Sequence, residues 1–161
     1  MAAVTTLPAA FVANTVLTAA QQNDLRGAFR VLQVVQASTT TVTSTTTSTY
    51  IDSTLTATIT PSSSSSKVLV FVSQRTYASA ANVGVKLKLL RGSTQLTEGL
   101  EVNFNSAGSG SSSFDPIYQD SPATTSATTY KTQMALGSGT GTVFTQPSSN
   151  LSTITLMEIS A

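Results

Sequence analysis

Across residues 54–60 the side chains alternate without a fault. Leu55, Ala57 and Ile59 are apolar, and Thr54, Thr56, Thr58 and Thr60 carry hydroxyls. A period of two puts the apolar set on one face of an extended chain; a helix, with its period of 3.6, would scatter it. The same period returns downstream. Val83, Val85, Leu87 and Leu89 alternate with Gly84, Lys86 and Lys88, and Thr128, Tyr130, Thr132, Met134 and Leu136 share a face. Near the C-terminus Ile154 and Leu156 lie opposite Leu151, Met157 and Ile159. Residues 68–73 are apolar almost throughout and predict a strand buried on both faces.

Turn signals separate these runs. Pro61 with five serines, 62–66, makes a loop, and Arg91-Gly92-Ser93-Thr94 turns into 95–97 as a hairpin. The stretch 38–49 is almost all Thr and Ser around Val42 and reads as one or two surface strands. Residues 100–105 form a further strand candidate, and 106–113, rich in Gly and Ser, read as a loop. Pro116 makes 114–119 an edge strand or loop. The run GSGTGT at 137–142 reads as a hairpin turn into 142–145; it lacks the lysine and the following helix of a phosphate loop. About eight strands at hairpin-like spacing predict an all-β fold, an antiparallel, jelly-roll-like β-sandwich. No fixed-period repeat points to a solenoid or propeller.

The start of the chain differs. Thr18 followed by Gln21 has the form of a capping box, and Gly27 is a helix stop, which predicts one short helix over about 19–26. The division expected is an N-terminal arm, 1–36, leading into the first strand, and a sandwich domain, 37–161. Residues 1–20 carry no Lys or Arg, and Pro8, Asn14 and Thr15 interrupt their apolar run, which argues against a signal peptide.

Composition narrows the chemistry. The chain has 161 residues with no Cys, His or Trp. That removes thiolate and imidazole ligands, the Ser-His-Asp triad and disulfides. Charged residues make up 9% with a net charge of +1, so there is neither a basic stripe for nucleic acid nor an acidic tail. No run is long and apolar enough for a membrane-spanning helix. What replaces charge is hydroxyl: 29 Thr and 24 Ser.

A serine or threonine nucleophile would need Lys67, Lys86, Lys88 or Lys131 as its base, and none stands in a Ser-x-x-Lys pattern. Glu98 with Glu101, and Asp115 with Asp120, are the carboxylate pairs that glycoside hydrolysis would require, but both lie beside loops where solvated acids are common. The expectation is therefore no enzyme, with no catalytic residue, cofactor or metal site. Thr54, Thr56, Thr58 and Thr60 lack the stacked neighbouring ranks of an ice-binding surface. Asn150-Leu151-Ser152 is a chance sequon. Tyr50, Tyr77, Tyr118 and Tyr130 read as rim and core residues able in principle to stack on sugars.

Several segments taken together resemble tailed-bacteriophage virion structural proteins. They are VLQVVQ at 31–36, 48–52 ending Tyr50-Ile51-Asp52, LTATITPS at 55–62, Lys67-Val68-Leu69-Val70, Leu89-Leu90-Arg91-Gly92, 118–122 with Tyr130, and STITLMEI at 152–159. VLTAAQ at 16–21 is similar to the start of phage fibre-type chains. The resemblance implies a small β-sandwich appendage on the virion surface: head decoration (cement), fibre or knob. It also implies a homotrimer docked through its arm on a major capsid protein or a tail- or portal-associated partner. The arm residues expected to dock are Leu7, Phe11, Val12, Val16, Leu17, Leu25 and Phe29. The alternative is a host-receptor or glycan-binding adhesin, with Tyr118 and Tyr130 as candidates for distal recognition. Neither nucleic acid nor a membrane is an expected partner.

Overall fold

The computed structural model describes residues 16, 19, 30–99, 102–103 and 108–160. The chain forms β1 (Val31–Thr39), β2 (Thr43–Thr45), β3 (Ile51–Ile59), β4 (Lys67–Ala78), β5 (Gly84–Arg91), β6 (Thr94–Glu98) and β7 (Val102–Asn103). It continues with β8 (Gly110–Phe114), β9 (Ile117–Asp120), β10 (Thr128–Ser138), β11 (Val143–Thr145), a 3-10 turn at Pro147–Ser149, and β12 (Ser152–Ile159). Every pairing among them is antiparallel.

Several strands are interrupted versions of longer ones. β1 and β2 follow each other along β12 and β11, β8 and β9 along β4, and β6 and β7 along β5. Merging them leaves two sheets of four lanes. The first runs β1/β2, β11/β12, β4, β8/β9; the second runs β3, β10, β5, β6/β7. Consecutive lanes alternate between sheets, except that β5 and β6/β7 form a hairpin within the second, which is the double Greek-key order of a jelly roll. No helix among the described residues is long and apolar enough to cross a membrane.

The alternation in β3 does what the sequence implies: Leu55, Ala57 and Ile59 are buried while the threonines between them are exposed. These side chains join Val68, Val70, Val72, Leu89, Tyr130, Ile154 and Leu156 in one apolar cluster. A second, of Ala78, Val83, Val85, Leu87, Met134 and Val143, fills the other end of the sandwich. Between them lies a buried polar belt. Gln74 Nε2 reaches across the sheets to donate to Ser53 Oγ at 2.9 Å, and Ser53 shares a 2.5 Å hydrogen bond with Thr132. With its amide turned to suit its neighbours, Gln146 accepts from Gln74 Nε2 at 2.8 Å and donates to Thr145 Oγ1 at 2.8 Å and Thr41 O at 3.1 Å. Buried amides need such partners, because each bond left unmade costs about 1–3 kcal/mol.

Three expectations change. Residues 68–73 are not buried on both faces: Val68, Val70 and Val72 are buried, whereas Leu69 and Phe71 lie half-exposed on an outer face that no layer among the described residues covers. The Gly/Ser stretch predicted as a loop contains β8, which is ordered by backbone bonds to β4 and by Phe114 at its end, packed on both apolar clusters. GSGTGT is no hairpin; it carries the chain from β10 in one sheet to β11 in the other. Gly139 holds φ +73 there, and a Cβ on it would collide with Asn82 O. β1 runs through position 36 and pairs along β12, so residues 31–36 lie in the sheet.

Candidate functional site

The residues expected to dock mostly fall outside the described part: Leu7, Phe11, Val12, Leu17, Leu25, Phe29 and the helix beyond Ala19. Val16 is described and exposed. Tyr130 cannot recognise anything at a surface, because it is fully buried in the first apolar cluster. Its hydroxyl donates to Asp120 Oδ2 at 2.7 Å, and Arg91 Nη1 contacts both oxygens of that carboxylate at 2.8 and 2.9 Å. Burial first, and then the bond to Asp120, drive the Tyr130 pKa far above the ordinary tyrosine range. This triad ties β9 of one sheet to β5 and β10 of the other. Tyr118 faces inward beside Val70 and packs on the same cluster, half-buried.

Asp115 and Asp120 have separate partners. Asp120 is spent on Arg91 and Tyr130. Asp115 is exposed and accepts from Ser113 Oγ at 2.5 Å. Glu98 accepts from Tyr50 OH at 2.5 Å, and Lys88 Nζ stands 4.0 Å from the centre of the Tyr50 ring. The Tyr50 hydroxyl is the main cause holding the Glu98 carboxyl below its ordinary range. Glu101 lies outside the described residues. Among the described residues, no three His, Cys, Asp or Glu side chains gather where they could hold a metal ion.

Two regions on the outer face of the first sheet stand out. Near the entry of the chain at Arg30, register aligns Val34, Met157 and Leu69 in one row and Gln36, Thr155, Phe71 and Ile117 in the next. Val34 is 55% and Ile117 71% exposed, with Val31 and Leu32 also open to solvent. These rows carry no charge. Large apolar side chains grouped this way leave apolar area open to water.

At the far end of the same face is a groove of about 450 Å3. Its floor is Tyr77 and Phe144, neighbours across β4 and β11, with ring centroids 5.7 Å apart and planes tilted by 51°. Val42 closes one side, and Pro147, Ser148 and Asn150 rise as a wall. That wall is strained: Gln146, Ser148 and Ser149 have φ of 53, 54 and 57°, a left-handed backbone in residues other than glycine. Each such residue costs about 1–3 kcal/mol and persists only where its surroundings impose it. Here the buried Gln146 amide anchors the loop in the polar belt. Tyr77 had been legible as an aromatic able to stack; Phe144 had no signal, because only the β4–β11 pairing brings the two together.

No family model matches this chain, and no curated protein sequence does. Among solved structures it is similar to one described as "Structure of infectious bursal disease virus Gx strain", with a TM-score of 0.45 and 11% identity. The match covers 81% of this chain and 37% of that one, so this chain spans little more than a third of the viral protein's length.

Proposed function

We propose that the protein is a non-enzymatic structural component of a tailed-phage virion, a trimeric jelly-roll head carried on an N-terminal arm that docks on a capsid or tail partner. The observation that carries this reading is the uncharged apolar surface of Val31, Val34, Leu69, Phe71, Ile117 and Met157 at the end of the sandwich where the arm joins. An exposed apolar surface of this kind is unfavourable in water and is relieved by burial against a partner. The sequence resemblance to phage appendages and a wet surface of Thr and Ser support the same role, since neutral hydroxyls hydrogen-bond to neighbours and to ordered water. Placing this surface beside the arm makes both parts of one attachment site.

The test is attachment to particles. Mass spectrometry of purified virions should find the chain, and the full-length protein should co-sediment with particles depleted of it. The double variant V34D/I117D, which places charge on an exposed face without touching the core, should remain folded by circular dichroism and lose co-sedimentation. A chain missing from virions, or a variant that attaches like the parent, contradicts the proposal. A second reading, adhesion to a host-surface glycan, is favoured by one observation: the aromatic groove at the opposite end of the sandwich.

A further inference from the structure

We propose that the Tyr77–Phe144 groove binds a neutral saccharide. The inference rests on the adhesion reading and names its site; it is independent of how the arm attaches.

The argument begins with what lines the groove. Two tilted rings give an apolar floor, against which the C–H face of a pyranose can lie. Around them stand the hydroxyls of Tyr77, Ser111 and Ser148 and the amide of Asn150. None of these four side chains has a hydrogen-bond partner among the described residues, in contrast to the paired hydroxyls of Ser53, Thr58, Thr129 and Thr132. Hydroxyls and an amide both donate and accept, as sugar hydroxyls do. A concave site with an apolar lining and a few placed polar groups is the usual form of a small-molecule site, and about 450 Å3 lies within the ~300–1,000 Å3 such sites occupy.

The lining also excludes other ligands. It contains no charged side chain, so nothing in it compensates a phosphate, a carboxylate or a metal ion. A purely apolar ligand would cover the Ser111, Ser148 and Asn150 groups without satisfying them.

Position adds a separate argument. Residues 31–45 run along one edge of the first sheet, from the arm's entry to β2 beside the groove. The continuous strand β4 measures the span: Lys67 lies in register with Val31 through Ile159, and Tyr77 lies in the groove. At ~3.3 Å per residue this places the groove some ~33 Å from that entry. A protein held by its arm would present the groove outward. The wall is also kept rigid: the left-handed Gln146, Ser148 and Ser149 are imposed by the buried Gln146 network, so the groove is formed before a ligand arrives.

Amide NMR of the full chain, titrated separately with D-glucose, D-galactose, D-mannose, L-rhamnose and N-acetyl-D-glucosamine, tests this. At least one sugar should give saturable shifts at Tyr77, Ser111, Phe144 and Asn150. Affinity should fall about tenfold in Phe144→Ala and several-fold in Asn150→Ala, the latter at an exposed position where the fold is not at stake. Saturable shifts that both variants leave unchanged would put the sugar elsewhere; the groove proposal then fails while the adhesion reading survives. If no sugar binds, or if only N-acetylneuraminic acid or a proline-rich peptide does, a neutral-saccharide groove is overturned.

Discussion

Glu158 is fully buried, and its carboxylate is held by neutral donors. Its Oε1 accepts from the Ser62 amide and hydroxyl, each at 2.7 Å, and its Oε2 accepts from Gln33 Nε2 at 2.6 Å. Burial on its own raises the carboxyl pKa; the surrounding donors, Gln33 and Ser62 among them, lower it by more, so it settles below the ordinary 4.5. A depressed folded-state pKa stabilises the fold fully above the unfolded value, and that contribution is lost as pH falls through the folded one. Stability should therefore decline on acidification below 4.5. Glu158→Gln removes the charge and sets an amide against the Ser62 donors, so it should cost about 1–3 kcal/mol at neutral pH. It should also flatten the acid decline. Urea unfolding of both proteins at about pH 7 and about pH 3 measures this, and parallel losses in the two would rule out Glu158 as a source of the acid sensitivity.

At the level of elements, the least regular strand is the one whose sequence looks most regular. β3 pairs with β10 through Thr56 opposite Lys131 and Asp52 opposite Gln133, so three residues of β3 oppose one of β10. Thr54 sits in this bulge with φ 65. A β-branched residue in the left-handed region is an outlier costing about 1–2 kcal/mol. Its hydroxyl recovers little, with long 3.3 Å contacts to Thr39 Oγ1 and Thr41 O at the corner between the sheets. Thr54→Gly should therefore stabilise the protein by about 0.5–1 kcal/mol despite the greater chain entropy of glycine. Thr54→Val keeps the strain and loses the hydroxyl, so it should destabilise. Denaturation midpoints that move down together in both variants would show that the bulge is not strained.

For the whole molecule, the Arg91–Asp120 and Lys131–Asp52 ion pairs lie within one chain, and the two apolar rows proposed for contacts carry no charged side chain, with Lys67 at their margin beside Ile159. Exposed charges are screened by salt, whereas apolar and hydroxyl contacts are not. The proposed trimer should then keep its sedimentation coefficient from about 0.05 M to about 1 M NaCl. Steep dissociation across that range would mean that ion pairs hold the assembly and would remove the argument from the hydroxyl surface.

The class of fold was legible because it is written in contacts between residues two apart. The burial of Leu55, Ala57 and Ile59, of Val85, Leu87 and Leu89, and of Ile154 and Leu156 follows from alternation alone, and so does the Arg91–Thr94 turn. The candidate site was not legible. Tyr130 reads like any other tyrosine until Asp120 and Arg91 arrive from other strands and bury it, and Phe144 becomes half of a groove only when β11 pairs with β4. Thr54 looks like its neighbours and differs in φ alone. By itself the sequence determined which side chains of the alternating strands face inward and that the chain is a β-sandwich. The tertiary structure decided which strands lie side by side, because lateral pairing joins residues far apart along the chain, and with it where surface, strain and binding groups meet.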